Sequence, residues 1–165
     1  MANITIRQGV QEDILQVFNL IKELAIYEKL PNEVDTTVAQ LIEDGFGANP
    51  IFGLIVAEQD QYIIGTAIYY FRYSTWKGKR LYLEDLIVTE KMREQGIGKQ
   101  LFDATVLKAK ELNCNGMNWL VLDWNKSAMS FYDKYNPEYD PTWVLASLTK
   151  DQVMNFEQPH YSKIL

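Results

Sequence analysis

Three strand-like segments follow one another with no helix between them, and this run limits the fold of the 165-residue chain more than any other feature. Residues 51–57, 62–73 and 81–88 are rich in β-branched and aromatic side chains, and the polar Glu58-Gln59-Asp60-Gln61 predicts a hairpin joining the first two. Strands that alternate singly with helices build a parallel, doubly wound sheet; three strands in succession exclude that arrangement. Around them, residues 4–7 alternate apolar and polar, as a half-buried strand does. Over 10–27, Ile14, Val17, Phe18, Ile21, Leu24 and Ala25 recur at helical spacing. Pro31 breaks that pattern, Thr36 or Thr37 caps a second helix running to Phe46, and Gly45 and Gly47 end it. Helical spacing returns over 96–112 through Leu101, Ala104, Thr105 and Ala109, and again over 127–135. Residues 118–122 and 143–148 read as strands, and Thr149-Lys150-Asp151-Gln152 resembles a capping box opening a last short helix. The expectation is a mixed α/β domain. With 47% hydrophobic and 13% aromatic residues, no repeat and no linker, residues 1–165 are read as a single domain.

The formal charge of −6 repels phosphate backbones and attracts cations, which disfavours nucleic acid and favours a small cationic partner. One cysteine, Cys114, excludes an internal disulfide and a cysteine metal site; at a helix end it reads as buried filler. The single His160 lacks metal partners and reads as a surface residue, so no metal is expected. The opening Met1-Ala2-Asn3-Ile4-Thr5-Ile6-Arg7 has neither a basic leader nor a long apolar run, and no stretch reaches membrane-spanning length. The final Lys163-Ile164-Leu165 does not match a peroxisomal signal. A cytoplasmic protein without membrane partners is expected.

The segment Arg93-Glu94-Gln95-Gly96-Ile97-Gly98 carries the most chemical information. It lies between a buried strand and a helix, where two glycines allow a tight turn and close approach of a ligand. Helix amino termini present unpaired N–H groups at the positive end of a dipole, which suits phosphate, and Arg93 and Lys99 add positive charge. A mononucleotide P-loop is excluded because Lys99 precedes Gln100 rather than Ser or Thr. A dinucleotide fingerprint is excluded because Leu101 stands where the third glycine belongs. Taken alone, the remaining Arg-x-x-Gly-x-Gly reads equally as a plain strand-to-helix turn.

Its surroundings resemble the GNAT N-acetyltransferases, and within them the spermidine/spermine acetyltransferase branch. The residues carrying this are Lys22-Glu23-Leu24-Ala25, Tyr27-Glu28, Glu43-Asp44-Gly45-Phe46-Gly47, Tyr69-Tyr70-Phe71, Leu81-Tyr82-Leu83-Glu84-Asp85 and Phe131-Tyr132. Tyr73-Ser74-Thr75-Trp76-Lys77-Gly78 and Leu122-Asp123-Trp124-Asn125 are more similar to the thialysine-acetylating members. The resemblance runs from about Ile4 to Tyr135 and fades beyond Asn136. It implies a mixed, mostly antiparallel central sheet flanked by helices, acetyl-CoA as co-substrate and a homodimer.

The resemblance also assigns roles. Glu84 is the base that deprotonates the acceptor ammonium; otherwise it is a solvated strand carboxylate. Tyr132 is the acid that protonates the leaving thiolate; otherwise it is a core aromatic like Phe131. The backbone of Leu86, Ile87 and Val88 pairs with the pantetheine arm, and the Val88 N–H receives the thioester oxygen. Backbone groups of Arg93, Glu94, Gln95, Gly96, Ile97, Gly98 and Lys99 cradle the pyrophosphate, and Asn125, Lys126, Ser127 and Ala128 close over the coenzyme. Tyr27, Glu28, Ser74, Trp76, Glu84 and Asp85 face the acceptor amine. Ser74 stands where the polyamine enzymes carry an aspartate, which favours a short, thialysine-like amine over spermidine or spermine. A protein-amine acetyltransferase and a CoA-binding regulator without turnover are the competing readings.

Overall fold

The computed structural model describes residues 4–156, and the chain divides into two compact units, Met1–Leu120 and Val121–Leu165. His160 and the last three residues lie outside the described part. Among the described residues no helix is long and apolar enough to cross a membrane.

The first unit runs β1 (Thr5–Gln8), α1 (Ile14–Tyr27), α2 (Val38–Phe46), β2 (Gly53–Gln59), β3 (Tyr62–Ser74), β4 (Gly78–Val88), α3 (Ile97–Glu111) and β5 (Met117–Trp119). These form a five-stranded sheet in the order β1-β2-β3-β4-β5. The first three pairings are antiparallel and β4–β5 is parallel, giving the expected mixed sheet. Tight turns join β2 to β3 and β3 to β4, α1 and α2 lie between the antiparallel β1 and β2, and the parallel pair needs a crossover, which α3 supplies.

Helices cover both faces, which is why β3 is buried without interruption from Ile63 to Tyr69 instead of alternating. On one face Ile14, Val17 and Leu20 of α1 pack with Leu54, Val56, Ile63, Ile68 and Ile87. On the other, Leu101, Phe102, Thr105 and Ala109 of α3 are buried, and the Phe102 ring meets Trp119 edge-on at 5.3 Å. Thr37 caps α2 as expected: its Oγ1 accepts the Gln40 N–H at 3.2 Å while Gln40 Oε1 accepts the Thr37 N–H at 3.0 Å. Arg7 grips the buried Asp13 with both terminal nitrogens, at 2.7 and 2.8 Å, fixing β1 against the entry to α1.

In the second unit, α4 (Lys126–Asp133) and α5 (Lys150–Met154) form. The Thr149–Gln152 capping box is present, with Gln152 N–H donating to Thr149 Oγ1 at 3.2 Å. Two strand expectations need correction. The strand expected over 118–122 is only Met117–Trp119, and residues 143–148 form none. Trp143 and Val144 are 75% and 88% exposed. A β-rich composition forms a strand only where a neighbouring ladder takes up its backbone groups, and 143–148 has none among the described residues.

Candidate active site

The site begins at an irregularity in β4. Pairing with β3 runs Tyr69↔Leu83 and then Ile68↔Asp85, so Glu84 is an extra residue opposite the peptide between Ile68 and Tyr69. This bulge reverses the alternation of β4. Leu81 and Leu83 share the α3 face with Tyr69, whereas Asp85 and Ile87 share the α1 face with Ile68. The parallel ladder to β5 covers Leu81, Tyr82 and Leu83 and stops there. Beyond the bulge β4 is paired on one side only among the described residues.

The open edge has a defined polarity. Thr89 N–H donates to Ile64 C=O at 2.9 Å, so the antiparallel alternation directs the backbone groups of Ile87 and Thr89 toward β3. Those of Leu86 and Val88 therefore point away from the sheet. Of the three residues expected to pair with a coenzyme, Leu86 and Val88 direct backbone groups outward, whereas the Ile87 backbone serves β3 and its side chain is buried against α1.

After β4 the chain turns through Glu94 and Gly96, both with left-handed backbone (φ 63° and 78°), into α3. The first helical bond is Gln100 N–H to Gly96 C=O at 3.1 Å, leaving the Ile97, Gly98 and Lys99 N–H groups without intrahelical partners. Ile97 anchors the turn by burial. A Cβ on Gly96 would meet no atom within 4 Å, and one on Gly98 would only touch Val88 Cγ2 at 3.8 Å. Packing within the protein therefore does not demand a glycine at 98. Unpartnered N–H groups beside open space fit a pyrophosphate, which a side chain there would crowd.

The charged side chains around this turn do not point into it as expected. Lys99 is bound to Asp103 at 2.5 Å. Arg93 Nε donates to Val88 C=O at 3.0 Å, and its guanidinium lies over the Tyr27 ring at 4.8 Å. Glu23, to which the sequence reading gave no role, stands 3.8 Å from that guanidinium and accepts from the Glu90 N–H and the Thr89 hydroxyl. One signal was available: Glu23 lies near the carboxyl end of α1, where the helix dipole opposes a carboxylate unless a partner compensates.

Acidic groups converge where α1 ends beside the bulge. Burial raises the Asp85 carboxyl to about 6, and the charges of Glu84 and then Glu28 push in the same direction. Burial also raises Glu28. Tyr70 and Tyr82, paired across the strands with ring centroids 5.0 Å apart, are raised by burial and by Glu84. Such a cluster favours a cation. Ser74 and Trp76 do not join it within one chain. Ser74 pairs with Gly78 at the far end of the β3–β4 hairpin, five residues from the bulge, or about 17 Å along the ladder. Its Oγ accepts the Trp76 and Lys77 N–H groups at 3.3 and 3.1 Å, a turn-forming role, and Trp76 is 83% exposed.

In the second unit Asn125 is the N-cap of α4, its Oδ1 accepting the Ala128 N–H at 3.1 Å. Lys126 Nζ donates to Asp123 C=O at 2.7 Å, Ser127 is exposed, and Tyr132 is buried beside Phe131 at 5.1 Å.

Comparison with known proteins gives this geometry a lineage. Bovine (Bos taurus) thialysine N-epsilon-acetyltransferase is 40% identical over 140 residues, covering 80% of this chain and 82% of that protein. Human (Homo sapiens) spermidine/spermine N(1)-acetyltransferase-like protein 1 is 39% identical over 134 residues, covering 77% of this chain and 19% of that longer protein. An aminoglycoside N-acetyltransferase solved in complex with CoA shares the fold, with a TM-score of 0.73 at 18% identity, covering 90% of this chain and 96% of that one. With the model of the acetyltransferase (GNAT) family matching residues 14–136, the chain belongs to that family and is an N-acetyltransferase.

Proposed function

We propose that this enzyme transfers the acetyl group of acetyl-CoA directly to the amine of a small cation, with a thialysine-like compound as the preferred class. The observation that carries the reading is the one-sided stretch of β4 beyond the Glu84 bulge, which leads straight into the N–H-lined turn at Gly96–Gly98. In this reading Leu86 offers its outward backbone groups and Val88 its outward N–H to the acetyl-pantetheine arm, as an added strand would, while the Val88 C=O is held by Arg93 Nε. The N–H groups of Ile97, Gly98 and Lys99 hold the pyrophosphate, and Glu94 and Gln95 shape the approach to them. The acceptor ammonium enters against Tyr27, Glu28 and Asp85. Glu84, exposed on the bulge, takes a proton from it directly or through water, and the freed lone pair attacks the thioester carbonyl carbon. The Val88 N–H receives the negative charge that builds on the carbonyl oxygen. The carbon–sulfur bond breaks, the amide forms, and the departing thiolate takes the phenolic proton of Tyr132. Glu84 then returns its proton to solvent, and the second proton, shed by the nitrogen as the amide forms, reprotonates Tyr132 through solvent.

Tyr132 and the Asn125–Ala128 segment enter this reading through the motif resemblance alone. The same resemblance supports a homodimer, and the single free thiol, Cys114, fits a reducing cytoplasm. The short-amine preference rests on similarity to the bovine thialysine enzyme, because Ser74 lies outside the acidic cluster of its own chain. Similarity to the human spermidine/spermine-type protein supports a polyamine as the second candidate. Steady-state acetyl-CoA turnover against thialysine, lysine, spermidine, spermine and putrescine tests the assignment. Thialysine should show the highest catalytic efficiency. A tenfold preference for spermidine would replace the substrate class, and coenzyme binding without any product would favour a regulator.

A further inference from the structure

Building on that reading, we infer that Glu23 is a positioning residue that sets the coenzyme-facing end of β4 against the amine-facing end of α1. Five contacts converge on this side chain and on Arg93 beside it. The Glu23 carboxylate accepts the Glu90 N–H at 2.7 Å with one oxygen and the Thr89 hydroxyl at 3.0 Å with the other. It therefore fixes the two residues that follow Val88. The first oxygen also faces Arg93 Nη2 at 3.8 Å. Arg93 in turn donates to Val88 C=O at 3.0 Å and lays its guanidinium on Tyr27 at 4.8 Å. Val88 presents the outward N–H at the reacting carbonyl, and Tyr27 and Glu28 form the end of α1 that faces the amine.

α1 ends at Tyr27 and Glu23 lies one turn earlier, so the Glu23 carboxylate and the Arg93–Tyr27 contact together tie the last turns of α1 to the segment after β4. Bonds to a carboxylate are charge-assisted and short, which suits a brace that must hold reacting groups to a fraction of an ångström. Arg93 is thereby occupied as a strut. Its positive charge is partly neutralised by Glu23 and held on an aromatic face, so it does not repel an incoming ammonium as a free guanidinium would.

The test compares Glu23→Leu with Glu23→Gln in the full-length enzyme, with calorimetric CoA affinity, kcat and both KM values as readouts. Glu23→Gln keeps an oxygen to accept the Glu90 N–H, and its amide NH2 can donate to the Thr89 hydroxyl oxygen instead of accepting from it, so this variant should stay within about threefold of wild type. Glu23→Leu loses all three contacts. It should weaken CoA binding and lower kcat by tenfold or more each, and raise the amine KM, with a melting temperature within a few degrees of wild type. A folded Glu23→Leu enzyme with unchanged CoA affinity and kcat overturns the inference. If that variant does not fold, Thr89→Val removes one bond to an intact Glu23; a two- to fivefold loss in kcat supports the inference and no change overturns it. Failure of the wild type itself to bind CoA or to acetylate any amine in the panel would instead refute the underlying functional reading.

Discussion

The two halves of β4 are continuous in sequence and opposite in use. Before the bulge, Leu81, Tyr82 and Leu83 pair with β3 on one side and β5 on the other, and both leucines are buried to within 1%. After it, Leu86 and Val88 pair with β3 alone and direct a second set of backbone groups outward. The first half spends its hydrogen-bonding capacity on the fold, and the second keeps half of it for something else. An unpaired edge inside a sheet is normally a liability. Here it is tolerated because Glu84 shifts the register, β5 departs, and the turn at Gly96 closes the far end.

Adjacent residues on the two sides of that boundary give the sharpest test. Leu83→Ala opens a cavity beneath α3 and should cost about 2–5 kcal/mol of stability, leaving kcat nearly unchanged in the folded fraction. Glu84→Gln touches no core and should lower kcat by roughly 10²–10⁴-fold with an unchanged melting temperature. Urea titrations and turnover measured on both variants check the contrast. A folded Glu84→Gln enzyme with wild-type kcat, where chemistry limits the rate, would return Glu84 to the status of a solvated strand carboxylate.

Asp85, the first residue past the bulge, carries the stored electrostatic cost of the site. Its carboxyl sits at about 6 in the folded chain against an ordinary value of 3.8. Between those values the folded state binds the extra proton, so stability falls as pH rises from about 4 to 6 and stays reduced above that. Asp85→Asn removes the burdened charge. It should stabilise the fold by on the order of 2–3 kcal/mol at pH 7.5 and by little at pH 4, while raising the amine KM. Equilibrium unfolding at the two pH values decides the matter: a pH-independent gain would mean that the charge is not the cause.

Much of this architecture was legible because it is local. The Thr37–Gln40 and Thr149–Gln152 boxes, the β2–β3 hairpin and the Gly96 turn each declare themselves within a few residues. The bulge did not, because Leu83 and Ile87 are both apolar and only pairing reveals that they face opposite sides of the sheet. Nor could composition show that β5 ends at Trp119 or that 143–148 lacks a ladder, since both depend on where a neighbouring strand runs. The site was half legible for the same reason. Glu28, Glu84 and Asp85 converge, but Tyr27 meets Arg93, Ser74 and Trp76 are carried away by hairpin length, and Glu23 gains its meaning only from the segment that folds onto it.

The glycine turn offers a smaller, cleaner perturbation of the open half. Gly98 has ordinary helical backbone, and its missing side chain would meet only Val88 at 3.8 Å. Gly98→Val should therefore fold normally, with stability unchanged or slightly improved because glycine is a poor helix former. The KM for acetyl-CoA should rise tenfold or more as the new methyl groups crowd the pyrophosphate. A folded variant with unchanged coenzyme affinity would remove this turn from the site and leave the open edge of β4 without its second anchor.

The smallest effect is expected at the closed end of the same hairpin. An aspartate at position 74 can accept the Trp76 and Lys77 N–H groups as the serine does, so the turn should survive Ser74→Asp. The new charge would lie about 17 Å along the ladder from the bulge, beyond the roughly 8 Å over which exposed charges act at physiological salt. An exposed pair at such a position contributes about 0–1 kcal/mol at most. The ratio of catalytic efficiencies for spermidine and thialysine should then shift by less than about threefold, measured for wild type and variant at fixed, moderate salt. A tenfold shift toward spermidine would show that the hairpin tip does face an acceptor amine. Since its own chain keeps it far from Glu28 and Asp85, that amine would have to be bound by a second copy, and the site would be shared across a homodimer.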